Sequence, residues 1–520
     1  MTSSLHTAAF ISANLYKDSV ALMRVAQGLL AMPGVINATL QMGNPANKDI
    51  LREAGLLHKS VQDAGPSDVM VVVQAGSEAQ CRAAVDRCQA ELAGTHAAGG
   101  TQDGSASAQA VARTSLAMGH AGLEGANLAQ ISVPGPYAAA EALKAIKLGR
   151  HVFLFSDNVP IAQEAALKQE ATRRGLLVMG PDCGTAIISG VPLGFANAVK
   201  RGNIGLVAAS GTGLQEVSTQ IHRMGGGVSH AIGTGGRDVY EAVGGATMLQ
   251  AIRLLSADPE TQVIAIVSKP PAPAVAERVV AALRASGKPS VVLFLGSNPD
   301  LSKSTKGPAL RVAQTMVDCA AMAVQLAKVK RLPSTHYPLP RKPVFAKSQK
   351  YLRALYAGGT FTAEAQILWA KAGLTVWSNV PLETALSLPN PRQSSRGHTA
   401  LDLGDDAFTV GRPHPMIDQA ARIERLLLEA ADPTVRVILL DVVIGWGAHS
   451  NPAAELAPAI VRAKALANKR GRQLAIVGFV CGTEADPQVL SKQEALLRSA
   501  GMVLAGNSAN AAWLAGQWLR

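Results

Sequence analysis

The stretch GNIGLVAASGTGLQE, residues 202–216, is a run of small and branched apolar side chains that ends in Ser-Gly-Thr-Gly and passes directly into helix-forming residues. Asn203–Ala208 reads as a strand covered on both faces, since apolar and polar positions do not alternate, and Gly213–Met224 reads as the helix after it. Strand, glycine turn and helix in this order is the building unit of doubly wound parallel sheets. The unit recurs in both directions. Downstream, strands are expected at Ser229–Ile232, Val263–Val267 and Ser290–Leu295, with helices at Val243–Ala257 and Val275–Ser286. Upstream, Leu128–Val133, Val152–Phe155 and Leu176–Met179 read as strands, separated by helices Tyr137–Leu148 and Ile161–Arg174. A last block carries strands at Arg436–Asp441, Gln473–Val480 and Met502–Ala505.

The expected fold class is therefore α/β, with several doubly wound (Rossmann- or flavodoxin-like) domains and a small N-terminal α/β module. Residues 1–93 form that module, ferredoxin-like or ACT-like, with strands Thr7–Ser12, Gly34–Met42 and Asp68–Gln74 and helices Lys17–Met32 and Ser77–Leu92. Residues 94–115 are Gly/Ala/Ser/Thr-rich with almost no bulky side chains, which reads as a flexible linker. Residues 116–199 read as a partial Rossmann domain and 200–330 as a complete doubly wound one. Residues 331–350 hold four prolines and five basic residues but no acid, an extended basic linker ahead of the final domain at 351–520.

The chain has 520 residues, 48% hydrophobic and 17% charged, which supplies several cores and excludes wholesale disorder. No uninterrupted apolar run of about 18 residues occurs, so no membrane association is expected, and the N-terminus lacks a signal-peptide pattern. The five cysteines contain no CxxC pair, so neither a zinc ribbon nor a disulfide framework is expected; a reducing cytoplasm is. No metal site is expected. The net charge is +12, yet residues 1–200 balance at 15 basic against 15 acidic side chains, so the excess lies further along the chain. Only 4% of residues are aromatic and no basic stripe interleaves with them, which argues against nucleic acid and for small anionic substrates.

Three glycine-rich turns at strand ends are candidate sites. At Ser210, Gly211, Thr212 and Gly213 unpaired N–H groups at a helix start favour an anion, the alternative being an ordinary tight turn capped by threonine. At Gly235 and Gly236 the backbone allows close approach, and Arg237 offers a two-pronged clamp for a carboxylate or phosphate, unless it simply pairs with Asp238. Gly445 and Gly447 follow the strand that ends near Asp441 and parallel the first turn. Glu216 lies early in the first helix, as a general acid or base or as a dipole partner. Arg412 and His414 sit in a loop stiffened by Pro413 and Pro415. His120 reads as an exposed histidine beside the linker.

These motifs resemble a known family. Met179-Gly180-Pro181-Asp182-Cys183-Gly184, then residues 202–216, then Ile232-Gly233-Thr234-Gly235-Gly236-Arg237-Asp238 are similar in order and spacing to the α subunit of succinyl-CoA synthetase. The DLGDD stretch and Ile438–His449 are similar to the C-terminal domain of its β subunit. The fused order, with Ser12–Val20, Val267–Ala272 and Asp402–Asp418, identifies the chain as a member of the FdrA family. The resemblance implies a CoA-binding-like domain at 116–199, an α-like ligase domain at 200–330 and a β-like ligase domain at 351–520. It also implies two helix N-termini facing one phosphoryl group, matched here by Ser210–Gly213 and Gly445–Gly447, with Glu216 on the glutamate that accompanies the synthetase's phosphohistidine.

The departures bear on chemistry. Where the phosphohistidine's GHAG stretch belongs, this chain reads Ser297-Asn298-Pro299-Asp300-Leu301; the GHAG at Gly119–Gly122 lies elsewhere. The Gly-Thr-Gly phosphate loop of the CoA-binding domain and any ATP-grasp domain are missing too. The FdrA resemblance instead implies a subunit of oxamate carbamoyltransferase, converting oxalurate and phosphate to oxamate and carbamoyl phosphate in anaerobic allantoin breakdown. Phosphate would then be a substrate on the helix ends, Arg237 or Arg412 would hold the oxalurate carboxylate, and Glu216 or His414 would protonate the departing nitrogen. Other subunits of a hetero-oligomer are the expected partners, and no cofactor is required. The alternatives are an acyl-CoA synthetase, which needs CoA, nucleotide and a partner's phosphoryl carrier, and a non-catalytic ligand-binding scaffold.

Overall fold

A computed structural model describes residues 5–94 except 16, 18 and 54, then 115–297, 307–330, 341–409 and 412–519, together with 299, 332, 337 and 338. The linker expected at 94–115 falls almost wholly outside these residues, and the described residues of 331–350 lie in no helix or strand. The chain divides into two compact units, one of residues 1–112 with 410–413 and one of the remainder.

In the first unit three antiparallel strands place Val69–Ala75 between His6–Ser12 and Val35–Met42. Side chains on a strand alternate between faces, and here both faces are covered. Val69, Val71 and Val73 pack with Leu22, Leu29 and Cys88, whereas Met70 and Val72 pack with Leu51 and Val61. This accounts for a central strand that reads as continuously apolar.

The second unit holds three sheets. A short parallel sheet runs Leu128–Ile131, His151–Leu154, Val178–Met179, flanked by helices Gly135–Lys147 and Ile161–Arg173. Next comes a seven-stranded sheet centred on Arg201–Ala208, with Val228–Gly233 on one side and Val263–Ser268 on the other. Its far edge is a hairpin, Thr185–Ile188 with Val191–Gly194, that pairs antiparallel to Val228–Gly233. That hairpin lies before residue 200, where the sequence placed the domain boundary, yet belongs to the second sheet. The C-terminal sheet is also seven-stranded and wholly parallel, with its first strand, Tyr351–Tyr356, between His398–Asp402 and Val435–Val443.

In both large sheets the first parallel strand, Arg201–Ala208 or Tyr351–Tyr356, is where the chain reverses its order of addition, which opens a crevice beyond that strand's C-terminal end. The sheets share one apolar core through helices Gly211–Arg223, Met316–Leu326, Gly359–Lys371 and Ser508–Gln517. Phe361 meets Phe479 edge-on at 5.1 Å between ring centroids, and the Trp369 indole N–H donates to the Ala512 carbonyl at 2.8 Å. The two crevices are thereby locked in register.

A buried charge cluster docks the small sheet onto the first large one. Lys168 Nζ lies 2.9 Å from Glu164 Oε1, from Asp238 Oδ1 and from the Thr234 carbonyl. Asp238 also accepts from the N–H groups of Thr247 and Met248 at the next helix start. Removing the cation leaves two carboxylates facing each other without water. Lys168→Met is expected to lower stability by about 3–5 kcal/mol in urea unfolding; an unchanged midpoint would show that the cluster does not hold these layers together.

Candidate functional site

The Ser210 hydroxyl caps its own helix by accepting from the Gly213 N–H at 2.9 Å, so the cap is serine rather than threonine. The same hydroxyl hydrogen-bonds the Thr360 hydroxyl, in the first turn of helix Gly359–Lys371. Two helix N-termini from the two sheets therefore meet side by side. Their closeness is backbone-limited: a Cβ on Gly358 would stand 2.4 Å from Thr212 Cγ2. Gly358 offers no side-chain cap, so the first N–H groups of that helix stay available, as do those of Gly211 and Thr212. Each helix end carries partial positive charge, and together they favour an anion.

The second helix end is thus Gly358–Thr360, which corrects the assignment to Gly445–Gly447. Gly445 and Gly447 do follow a strand, but the next helix begins only at Pro452 with Asn451 as its cap. Trp446 N–H instead donates to the Ala196 carbonyl at 2.8 Å, and Gly445 N–H to Gln488 Oε1 at 3.0 Å. Residues Gly445–Gly447 buttress the Phe195 loop, whose ring lies 6.4 Å from that of His414. Phe195 in turn receives the Thr185 hydroxyl bond at its carbonyl, and Thr185 Oγ1 lies beside Gly211.

Two side chains not picked out from sequence close the mouth. A Cβ on Gly359 would stand 2.8 Å from Asp402 Oδ2 and 2.9 Å from Lys269 Nζ, so only glycine leaves room for both groups over this helix start. Asp402 is buried, its Oδ1 accepts the Gly404 N–H at 2.9 Å, and its backbone is clamped by Asn379. Burial pushes its carboxyl up to about 7 against the pull of the Lys269 ammonium. Asp182 is exposed, and its carboxyl is raised by the surrounding protein and by Asp157 and Asp406, with Arg237 and Lys269 opposing. Asp441 fixes the turn by accepting the Ala357 N–H at 3.0 Å while paired with buried Arg422.

His414 belongs to this neighbourhood, with Nε2 beside Gly404. Its Nδ1 accepts the Met416 N–H at 3.2 Å, which leaves the hydrogen on Nε2. Burial, aided by Arg422, pulls it down to about 4, so at neutral pH it donates a hydrogen bond as neutral imidazole rather than acting as a protonated acid. Arg237 pairs with Glu164 at 2.9 Å and donates to the Val159 carbonyl at 2.7 Å, rather than pairing with Asp238; Gly235 packs on the Pro181 carbonyl, and only Gly236 is open. Arg412 lies in the segment that clusters with the N-terminal unit, and residues 410 and 411 are outside the described residues. His120 is half-buried and accepts from Arg150 Nε at 3.0 Å, which corrects its reading as an exposed histidine.

Glu216 does not face the paired ends. Six residues past Ser210 it sits about 9 Å along the helix, where its carboxylate accepts the Ser508 N–H at 3.3 Å. Ser508 opens a third helix, and its hydroxyl donates to Glu364. Two buried carboxylates thus share one helix start, and burial raises both, Glu364 to about 7. A raised carboxyl favours the protonated folded state, so its contribution is complete below 4.5 and is lost as pH rises through about 7. Glu364→Gln, neutral throughout, should match the wild type near pH 5 and exceed it by about 1–3 kcal/mol near pH 8. Equal pH dependence in thermal melts of the two proteins would refute this.

Three family models match the chain, and the CoA binding domain falls on the first large sheet rather than at 116–199. Families described as CoA-ligase, CoA binding domain, and "AllF, heavy metal-associated domain" match residues 355–518, 199–296 and 4–110. The last name implies a heavy metal, which the residues of that module do not fit. Cys81 and Cys88 are buried on one helix, the Cys81 thiol bonds the His6 carbonyl and burial pushes the Cys88 thiol up to about 12. Among the described residues no His, Cys, Asp or Glu cluster is placed to hold a metal ion, and no helix is long and apolar enough to cross a membrane. The chain is 31% identical over 151 residues to the succinate–CoA ligase [ADP-forming] α subunit of Aquifex aeolicus, 28% of this chain and 48% of that one, so it spans about half the length of that relative. A solved structure of a dinucleotide-forming acetyl-coenzyme A synthetase 1 from Ca. Korarchaeum cryptofilum, in complex with phosphate and ADP, aligns with 76% of this chain and 82% of that chain at 16% identity and a TM-score of 0.31. The uncharacterized protein YahF of Escherichia coli (strain K12) is 43% identical over 517 residues, covering 98% of both chains. The chain belongs to the FdrA family, among the succinyl-CoA synthetase-like acyl-CoA ligase proteins.

Proposed function

We propose that this chain is a subunit of an oxamate carbamoyltransferase, in which inorganic phosphate attacks the ureido carbonyl of oxalurate and releases oxamate and carbamoyl phosphate. The observation that carries this reading is the pair of helix starts at Ser210–Gly213 and Gly358–Thr360, facing one spot with Lys269 beside it and no histidine in the loop where a phosphoryl carrier belongs. Backbone N–H groups and the ammonium suit a free phosphate dianion, and fixing it there converts an encounter into an oriented attack. As the phosphate oxygen bonds the carbonyl carbon, charge grows on the carbonyl oxygen, where fixed donors such as the His414 Nε2–H are worth most. The remaining oxalurate carboxylate requires a cation, and Arg237, whose Nη2 is held by Glu164 and the Val159 carbonyl, offers its other terminal nitrogen. The chain acts with further subunits in the cytoplasm, without CoA or nucleotide.

A second reading is acyl-CoA synthesis, favoured by the CoA-ligase and CoA binding domain matches. It needs a place for a CoA diphosphate. It also needs a partner's ATP site and phosphoryl carrier.

The deciding assay is phosphate-dependent consumption of oxalurate by the purified chain, alone and with proteins that co-purify from its native host. Oxamate and carbamoyl phosphate in equal amounts are expected in at least one sample. CoA- and nucleotide-dependent thioester formation, with no carbamoyl phosphate in either, would overturn the reading.

A further inference from the structure

Lys269 and Asp402 come from different sheets. Lys269 follows strand Val263–Ser268, and Asp402 ends strand His398–Asp402, yet both reach the space over Gly359. Lys269 is exposed, and among the described residues its ammonium has neither a hydrogen bond nor an ion pair. Asp402 is 7% exposed; one oxygen is held by Gly404, while the other points at the Gly359 helix start without a protein donor. A lone lysine beside a half-used, buried carboxyl over two helix starts is an arrangement that lacks its ligand. A mostly buried carboxyl oxygen left without a donor costs the folded state free energy, so folding alone does not account for it.

We propose that Lys269 and Asp402 are the catalytic couple of this site, the ammonium pairing with a phosphate dianion on the two helix starts and the carboxyl carrying its proton. The proposal rests on the phosphate-dependent reading and names the groups that serve it. A phosphate oxygen forms the bond to the carbonyl carbon, and the phosphate's proton passes to Asp402 Oδ2. The bond from that carbon to the oxamate nitrogen breaks, and Asp402 returns the proton to that nitrogen. Atoms and charge balance with no further reactant. Asp402 is suited to give and take a proton near neutrality, since burial, Asp405 on its own loop and Asp441 on the neighbouring strand raise its carboxyl, while Lys269 lowers it. His414, across Gly404, is neutral over the same range.

The test is binding of inorganic phosphate to the full chain by titration calorimetry, in the absence of oxalurate. Lys269→Met should weaken binding about ten- to a hundredfold with an unchanged melting temperature, and Lys269→Arg should restore most of it. Gly359→Ala, whose Cβ would press on both Asp402 Oδ2 and Lys269 Nζ, should abolish binding. In the wild type, Asp402 ionises as pH rises through about 7 and comes to repel the anion, so Asp402→Asn should bind phosphate more tightly than wild type at pH 8 but equally near pH 5. Comparison at each pH cancels the phosphate's own ionisation. Unchanged affinity in Lys269→Met, or an Asp402→Asn variant that tracks the wild type at every pH, would overturn the couple. Loss of binding in Lys269→Met while the wild type leaves oxalurate intact would retain the anion site and discard carbamoyl transfer alone.

Discussion

Two helix N-termini held side by side carry charge of the same sign, and most of the second unit is arranged around tolerating that contact. The Ser210–Thr360 hydroxyl bond brings the ends together, and the absence of a side chain on Gly358 lets Thr212 pack this closely against it. The opposing charge is supplied from the protein by buried carboxylates. Asp402 lies over the mouth, and Glu216 and Glu364 lie deeper, against a third helix start at Ser508. Burial raises all three, Glu364 and Asp402 to about 7, so these two do not deliver a full negative charge at neutral pH. The positive mouth is left partly uncompensated, which is the electrostatic condition for holding a small anion.

The scaffold makes this mouth rigid. Both large sheets present it at the C-terminal end of their first parallel strand, and one apolar core spans the helices that carry it. Asp441, clamped by Arg422, holds the Ala357 N–H and so fixes where the second helix starts. The Lys168 cluster plays the equivalent part for the Gly233–Arg237 loop, keeping Arg237 against Glu164. The sequence carries no histidine at Ser297–Leu301, and the proposed occupant of the two ends is a free phosphate rather than a phosphorylated side chain.

The architecture is legible in the sequence because it depends on local pattern: apolar runs without alternation, glycine turns and helices of ordinary length. Ser210–Gly213 stands out for that reason. Gly358–Thr360 carries the same signal, an apolar strand followed by Ala-Gly-Gly-Thr and a helix, but is overshadowed by the more conspicuous Gly445-Trp446-Gly447. The true start of that later helix is written in Asn451-Pro452, a cap followed by a proline at the first helical position. Long-range pairings carry no such mark. Arg237 with Glu164, Glu216 with Ser508, and the approach of Lys269 and Asp402 to Gly359 are each fixed by how the sheets dock. The hairpin Thr185–Gly194 is hidden because its strands are four residues long and pair with a strand met later in the chain.

The most direct measurement is the fate of isotopic oxygen in the reaction. Oxalurate is supplied with phosphate carrying oxygen-18 at every position, and the carbamoyl phosphate formed is read by phosphorus NMR and mass spectrometry. Attack by free phosphate held on the paired helix starts predicts that every phosphate oxygen stays labelled, including the one bridging carbon and phosphorus. A product with an unlabelled bridging oxygen would mean that a phosphoryl group had been transferred onto a carboxylate instead, and would contradict the account.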